Sequence, residues 1–160
     1  MKTFLKIALV AVALLIQLTL LNFFTVLGLK PDLILIIIVV LALLKGEQEG
    51  SISGFLAGLS QDFFSSSLLG INALAKTSLG FICGVLKTRI FPEHIIYLVP
   101  LITFFASLLH SLMVFFIFRS FGMEYNFILN VKQIFLPEAL FNSILSPFIF
   151  LIVNRILSKF

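Results

Sequence analysis

The chain has 160 residues and a formal net charge of +4. Apolar residues make up 61% of it, and its mean hydropathy is +1.22. A soluble domain of this size could not bury so much hydrocarbon. We therefore expect one integral membrane domain over residues 1–160, without a soluble enzyme. The basic excess then indicates membrane topology and contact with lipid headgroups, not binding of nucleic acid.

Long apolar stretches predict an all-α bundle of about six transmembrane helices, because a helix needs about 20 residues to cross the hydrocarbon core. The predicted spans are 5–28, 31–45, 50–65, 68–87, 95–118 and 134–157. The N-terminal stretch follows lysines, as a signal sequence does. Its length and the absence of a cleavage site favour a retained first span. The one long loop is expected at 119–133.

Basic residues at the span ends predict that both termini lie in the cytoplasm. With the N-terminus inside, the inner segments hold Lys2, Lys6, Lys45, Lys87, Arg89, Arg155 and Lys159. The outer segments hold Lys30, Arg119 and Lys132. Cytoplasmic segments carry the excess of Lys and Arg, so this distribution favours a multi-pass protein with both ends inside. A five-span arrangement would move one end to the other side.

Glycines and polar residues recur at intervals of four along the third and fourth spans. In the third span and just before it they are Gly46, Gly50, Gly54 and Gly58, followed by Asp62. In the fourth they are Asn72, Lys76, Gly80 and Gly84. Residues four apart share one helix face, and glycines let two backbones approach closely. The stripes therefore predict tight packing within the chain, with the docking of a separate protein as the alternative.

Two ionisable side chains of these stripes are candidates for an intramembrane pair. A charge deep in a bilayer costs on the order of 3 kcal/mol or more and usually has a partner. Asp62 and Lys76 differ in depth by about four residues, or roughly 6 Å of helix, which a lysine side chain can span. The sequence is compatible with such a pair and equally with the alternative, in which Lys76 extends to the interface and Asp62 caps the serine-rich turn.

The last two spans add polar side chains that predict a mildly polar interior in the outer half of the bundle. His110 lies on a face with small polar residues, and a structural role is favoured because no second His or Cys stands at ligand spacing. Glu138 follows Pro137 and is expected to cap the start of the last span, with Asn142 on the same face. We identify no catalytic motif, and we expect no cofactor or metal.

The residues from Pro31 onwards resemble the rod-shape-determining protein MreD family. The resemblance rests on Pro31-Asp32-Leu33, the glycines that lead to Asp62, and the run Leu69-Gly70 with Asn72-Ala73-Leu74. It implies a non-catalytic scaffold or regulator of cell elongation in the bacterial inner membrane, where lateral peptidoglycan is made. The implied partners are the bitopic protein MreC, the MreB filament, and the wall polymerase–transpeptidase pair.

Two other functional classes remain open from the sequence. The first is the substrate-binding subunit of an energy-coupling-factor vitamin transporter, which is also a small six-span bundle. Those subunits have an AxxxA face in the first helix, whereas Ala8, Ala11 and Ala13 lack that spacing, and this chain has no Trp. The second is a proton-coupled carrier that uses Asp62, Lys76 and His110. The scaffold is the favoured function.

Overall fold

The computed structural model describes residues 31–64, 68–90, 95–123 and 126–158. These residues form helices and turns, without a strand among them, which confirms the predicted all-α class. The helices are α1 (Leu33–Lys45), α2 (Glu47–Phe64), α3 (Ile71–Val85), α4 (Ile95–Ser120) and α5 (Phe127–Ser158). A π-helical turn over Leu86–Ile90 extends α3, and another over Val131–Phe135 lies within α5. The first predicted span, 5–28, lies outside the described residues.

Helix α1 is the central element of the described bundle. Its residues from Ile34 to Leu43 are all buried, and it contacts α2, α3, α4 and α5. A helix that is apolar on all sides is expected to be buried on all sides, and this explains its unbroken aliphatic sequence. Gly46 ends it with a φ of +92° and donates its N–H to the Ala42 carbonyl oxygen at 2.8 Å. That backbone conformation favours glycine and lets α2 begin immediately.

Helices α2 and α3 form an antiparallel hairpin whose backbones are in contact. A Cβ atom added to Gly54 would overlap the Lys76 carbonyl oxygen, and one added to Gly50 would overlap that of Gly80. The same holds for Gly58 against the Asn72 carbonyl oxygen, one turn nearer the connection. The glycines therefore lie within the α2–α3 interface. Because α3 covers this face, it is not the surface on which a separate protein docks.

Helices α4 and α5 each contain a proline, and serine side chains lie beside both. Pro147 lacks the N–H that would bond to the Ser143 carbonyl oxygen one turn earlier. The Ser146 hydroxyl donates to that oxygen instead, at 2.8 Å. The Ser143 hydroxyl in turn donates to the carbonyl oxygen of Pro100 in α4, also at 2.8 Å. The Ser146 hydroxyl thus supplies the donor that Pro147 lacks, and the Ser143 hydroxyl joins the two helices.

The start of α5 differs from the prediction. Residues that were expected to belong to a loop are helical from Phe127, and Asn126 caps the helix by accepting the Leu129 N–H at 3.2 Å. Glu138 therefore lies well inside the helix and does not cap its start. In the π-helical turn, the Leu136 N–H donates to Val131, five residues back. This turn directly precedes Pro137, which can donate no backbone hydrogen bond, so the change in register coincides with the missing donor.

Two of the described helices are long and apolar enough to cross a membrane. They are Tyr97–Ser120 in α4 and the whole of α5. Helix α1 is apolar but has 13 residues, which correspond to about 20 Å. The count of six spans and the side on which each terminus lies stay predictions.

Candidate functional site: a buried ion pair beside an open cleft

The interior of the bundle contains a lysine with two partners from other helices. The Lys76 side chain of α3 is fully buried, and its Nζ atom lies 2.5 Å from Oδ2 of Asp32. Nε2 of His110, on α4, is 3.4 Å from the same Nζ atom. The buried lysine therefore forms an ion pair with the residue that precedes α1.

Asp32 uses its two carboxylate oxygens for different purposes. Oδ2 binds Lys76, whereas Oδ1 accepts the Leu35 N–H at 2.9 Å and so caps α1. Its own N–H donates to Oδ1 of Asn142 on α5, at 3.0 Å. One residue thereby joins three helices, because its cap and its ion pair use separate lone pairs.

The Asn142 amide extends these contacts to α4. Its Nδ2 atom donates to the Ser107 hydroxyl at 2.7 Å, while the Ser111 hydroxyl donates to the Ser107 carbonyl oxygen at 3.0 Å. We call Asp32, Lys76, Ser107, His110 and Asn142 the polar core. All five are buried. A buried ion pair is costly unless further hydrogen bonds satisfy its members, and here the neighbouring residues supply several of them.

The predicted pair between Asp62 and Lys76 is wrong. Asp62 accepts hydrogen bonds from the backbone N–H groups of Gly70, Asn72 and Ala73 at 3.0–3.2 Å, and from Nδ2 of Asn72 at 2.9 Å. The first N–H groups of a helix have no acceptor within it, and the carboxylate at the end of α2 is close enough to accept them. Lys76 is one turn further along α3, where the start of α1 is nearer.

An open cleft of about 220 Å³ lies next to the polar core, between the end of α4 and the start of α5. His110 and Ser111 line it from α4, Asn130 and Glu138 from α5, and Asn72 from α3. Its remaining lining is apolar and mostly aromatic, and consists of Val114, Phe115, Phe118, Ile134 and Phe135. The cleft thus combines neutral hydrogen-bonding groups and one carboxylate with an aromatic wall.

A second concave surface is almost entirely apolar. This lateral groove has a volume of about 180 Å³ and runs between α3 and α4. Its lining consists of Leu79, Ile82, Cys83, Leu86, Leu101, Ile102, Phe105, Ala106 and Leu109. We call it the α3–α4 groove.

The structure separates the predicted polar residues into three groups. Lys76, His110 and Asn142 meet in the polar core, Asp62 caps α3, and Glu138 lines the cleft. Asn72 takes part in two of them, since it donates to Asp62 and also lines the cleft. In the described part of the chain, no group of three or more His, Cys, Asp or Glu side chains is placed to hold a metal ion.

Asp32 was missed as a site residue. Its sequence signal was an acidic residue immediately before a long apolar run and directly after Pro31, which is a helix-start pattern. That pattern predicts the cap on α1 but not the ion pair, because the lysine that binds it is 44 positions away.

The family of this chain is shown by its match to a family model. The model of the rod shape-determining protein MreD matches residues 1–160, the whole chain. No curated protein and no solved structure gives a significant match. The family and the two long apolar helices together indicate a membrane protein with a role in cell shape. The match lends no support to a vitamin-transporter subunit. The chain belongs to the rod shape-determining MreD family.

Proposed function

We propose that this protein is a non-catalytic scaffold of the cell-elongation machinery in the bacterial inner membrane. It crosses the membrane several times with both termini in the cytoplasm, and it maintains rod shape by binding an MreC-like bitopic partner. Through that partner it acts with the MreB filament and the wall polymerase–transpeptidase pair in lateral peptidoglycan synthesis. The family match over the whole chain is the observation that carries the proposal.

The packing of the described helices supports a scaffold because their relative positions are held by short-range contacts. The backbones of α2 and α3 are in contact at their glycines. If one helix slid along the other, side chains would meet the facing backbone, so the contact holds the two helices in register. The polar core joins α1, α3, α4 and α5 by direct hydrogen bonds. A bundle held in this way presents surfaces of fixed shape to a partner.

We place the transmembrane helix of the partner in the α3–α4 groove. The lining is apolar, which suits a helix whose outer side chains face lipid. Phe105 and Leu101 are more than half exposed at its edge, and Ala106 leaves room at its floor. Between helices in lipid, close packing against such a concave surface is the main source of association energy.

Site-specific photocross-linking in native membranes tests this placement. A photoreactive phenylalanine analogue at Phe105 should cross-link the MreC-like protein. The same analogue at Phe55 of α2, which is exposed to a similar degree outside the groove, should not. Equal cross-linking at both positions, or cross-linking at Phe55 alone, would reject the groove as the partner site.

The cellular role is tested by depletion of the protein in its own host. Cells that lose it should become round, and a plasmid copy should restore rods. If a copy that inserts normally but carries Phe105→Arg restores rods fully, the groove is not needed for shape. If depletion leaves rods unchanged, the shape-determining role itself is wrong for this chain.

A further inference from the structure

The cleft between α4 and α5 has no role in the partner binding proposed above. Its lining contains an acidic side chain but no Lys or Arg. Glu138 is its one ionisable carboxylate, and neither Lys nor Arg is among the residues that line it. The nearby Lys76 ammonium is already balanced by Asp32 at 2.5 Å. The Asp62 carboxylate is occupied by the N–H groups that begin α3. Glu138 is thus the one carboxylate of the lining without an opposite charge beside it, and its ionised form favours a cationic ligand.

The neutral lining groups suit a small ammonium in particular. An ammonium has three donors and needs acceptors, which the Asn72 and Asn130 side-chain carbonyls, the Ser111 hydroxyl and the Glu138 carboxylate can supply. The wall formed by Phe115, Phe118 and Phe135 offers aromatic faces or edges nearby, and aromatic faces attract cations. The volume of about 220 Å³ is below the range for drug-sized ligands, so the ligand group is small.

The ends of α4 and α5 that form the cleft also carry exposed apolar side chains and two exposed basic ones. Phe121, directly after α4, and Ile128 and Leu129, in the first turn of α5, are exposed, and hydrocarbon would cover them. Arg119 and Lys132 are also exposed, on the same two helices that form the cleft. A molecule that satisfied all these groups would carry an ammonium, an anionic group beside it, and a hydrocarbon chain. A zwitterionic phospholipid has these parts in this order.

The backbone of α5 is also unusual at this place. The π-helical turn over Val131–Phe135 provides Ile134 and Phe135 of the lining, and Glu138 follows within one turn. Such turns are uncommon inside α-helices and occur frequently at functional sites. The turn, which directly precedes Pro137, thus contributes two residues of the lining beside the carboxylate.

We propose that the cleft binds the primary ammonium headgroup of a membrane phospholipid, with Glu138 as its counter-charge. The ammonium lies among Glu138, Asn72 and Ser111, and the phosphate faces Arg119 and Lys132 at the rim. The acyl chains leave along the exposed apolar side chains of α4 and α5. This site is separate from the α3–α4 groove, so a failure of one assignment leaves the other intact.

Native mass spectrometry of the full-length protein released from lipid nanodiscs tests the proposal. Nanodiscs contain phosphatidylethanolamine, its N-acetyl derivative, or phosphatidylglycerol in a common background lipid. Phosphatidylethanolamine should remain bound and the other two should not, because N-acetylation removes the ammonium group and phosphatidylglycerol has none. Retention of all three lipids to the same extent would overturn the ammonium assignment.

Two variants in the cleft and one control variant locate the bound lipid. Glu138→Gln should weaken retention about tenfold, since it removes a charge-assisted hydrogen bond but keeps the shape. Glu47→Gln, at the opposite end of the bundle, should bind as the wild type does. Val114→Trp should fill the cleft and abolish retention without changing any charge. Wild-type retention by Glu138→Gln or by a folded Val114→Trp protein would overturn the site.

A water-soluble headgroup analogue distinguishes binding of the lipid from binding of a free amine. O-phosphoethanolamine at the same concentration as the lipid should not be retained, because it lacks the hydrocarbon that covers the apolar rim. If it is retained as well as the lipid, the site binds a soluble amine and the lipid assignment is wrong.

Discussion

Lys76 places an ammonium group in the interior of the bundle, where the Asp32 carboxylate balances its charge. Removal of one member of such a pair leaves the other buried and uncompensated, which is much more costly than removal of both. Asp32 also caps α1, so an aspartate at this position has a second role that an asparagine could retain. These two roles allow the charge to be tested separately from the cap.

We expect Lys76→Met to lower the free energy of unfolding by about 3–5 kcal/mol, because Asp32 loses its partner. Adding Asp32→Asn to that variant should recover part of the loss, since asparagine still caps α1 without a charge. The measurement is chemical unfolding in detergent micelles, with Lys45→Met, at an exposed position, as the matched control. If Lys76→Met and Lys45→Met are equally stable, the buried pair contributes nothing to the fold.

At the scale of the helices, the α2–α3 hairpin depends on positions without side chains. Gly50, Gly54 and Gly58 on α2 each face the backbone of α3, and Gly80 and Gly84 do the same from α3. Gly84 would bring a Cβ atom against the Glu47 backbone at the far end of the contact. The interface is therefore uniform along its length, and a larger residue at any of these positions must move a whole helix.

We expect Gly54→Ala to destabilise the protein by about 1–3 kcal/mol and Gly54→Leu by more, because the added atoms meet the Lys76 carbonyl group. Thermal unfolding of the purified protein measures both. Ser60→Leu, on the same helix at a partly exposed position, should change the unfolding temperature little. A Gly54→Leu protein as stable as Ser60→Leu would contradict the backbone contact.

At the scale of the molecule, the charged residues differ between the two ends of the bundle. Lys45, Lys87, Arg89 and Arg155 belong to the end at which α1 and α5 finish. Arg119 and Lys132 belong to the other end, where α4 finishes and α5 begins. From the positive-inside rule we therefore expect the first end to lie in the cytoplasm and the cleft to lie in the outer half of the membrane.

Reporter fusions measure this orientation. Alkaline phosphatase inserted after Gly122, between α4 and α5, should be active, because that turn is expected on the outside. A fluorescent protein fused after Phe160 should be fluorescent, as expected for a cytoplasmic terminus. Inactive phosphatase after Gly122 together with an active phosphatase at the C-terminus would invert the predicted topology.

The sequence by itself determined the features that depend on composition and on neighbours within one helix. The apolar excess specified an all-helical membrane protein, and the glycine interval of four specified which faces of α2 and α3 are small. The tertiary structure alone decided which carboxylate meets Lys76, since Asp32 and Asp62 are both acidic residues at helix ends. It also decided that Asn142 contacts Asp32, 110 positions away in the sequence. The last helix begins at Phe127 in the structure, earlier than predicted. Periodicity reports on one helix at a time, whereas these contacts depend on how separate helices are rotated and placed against each other.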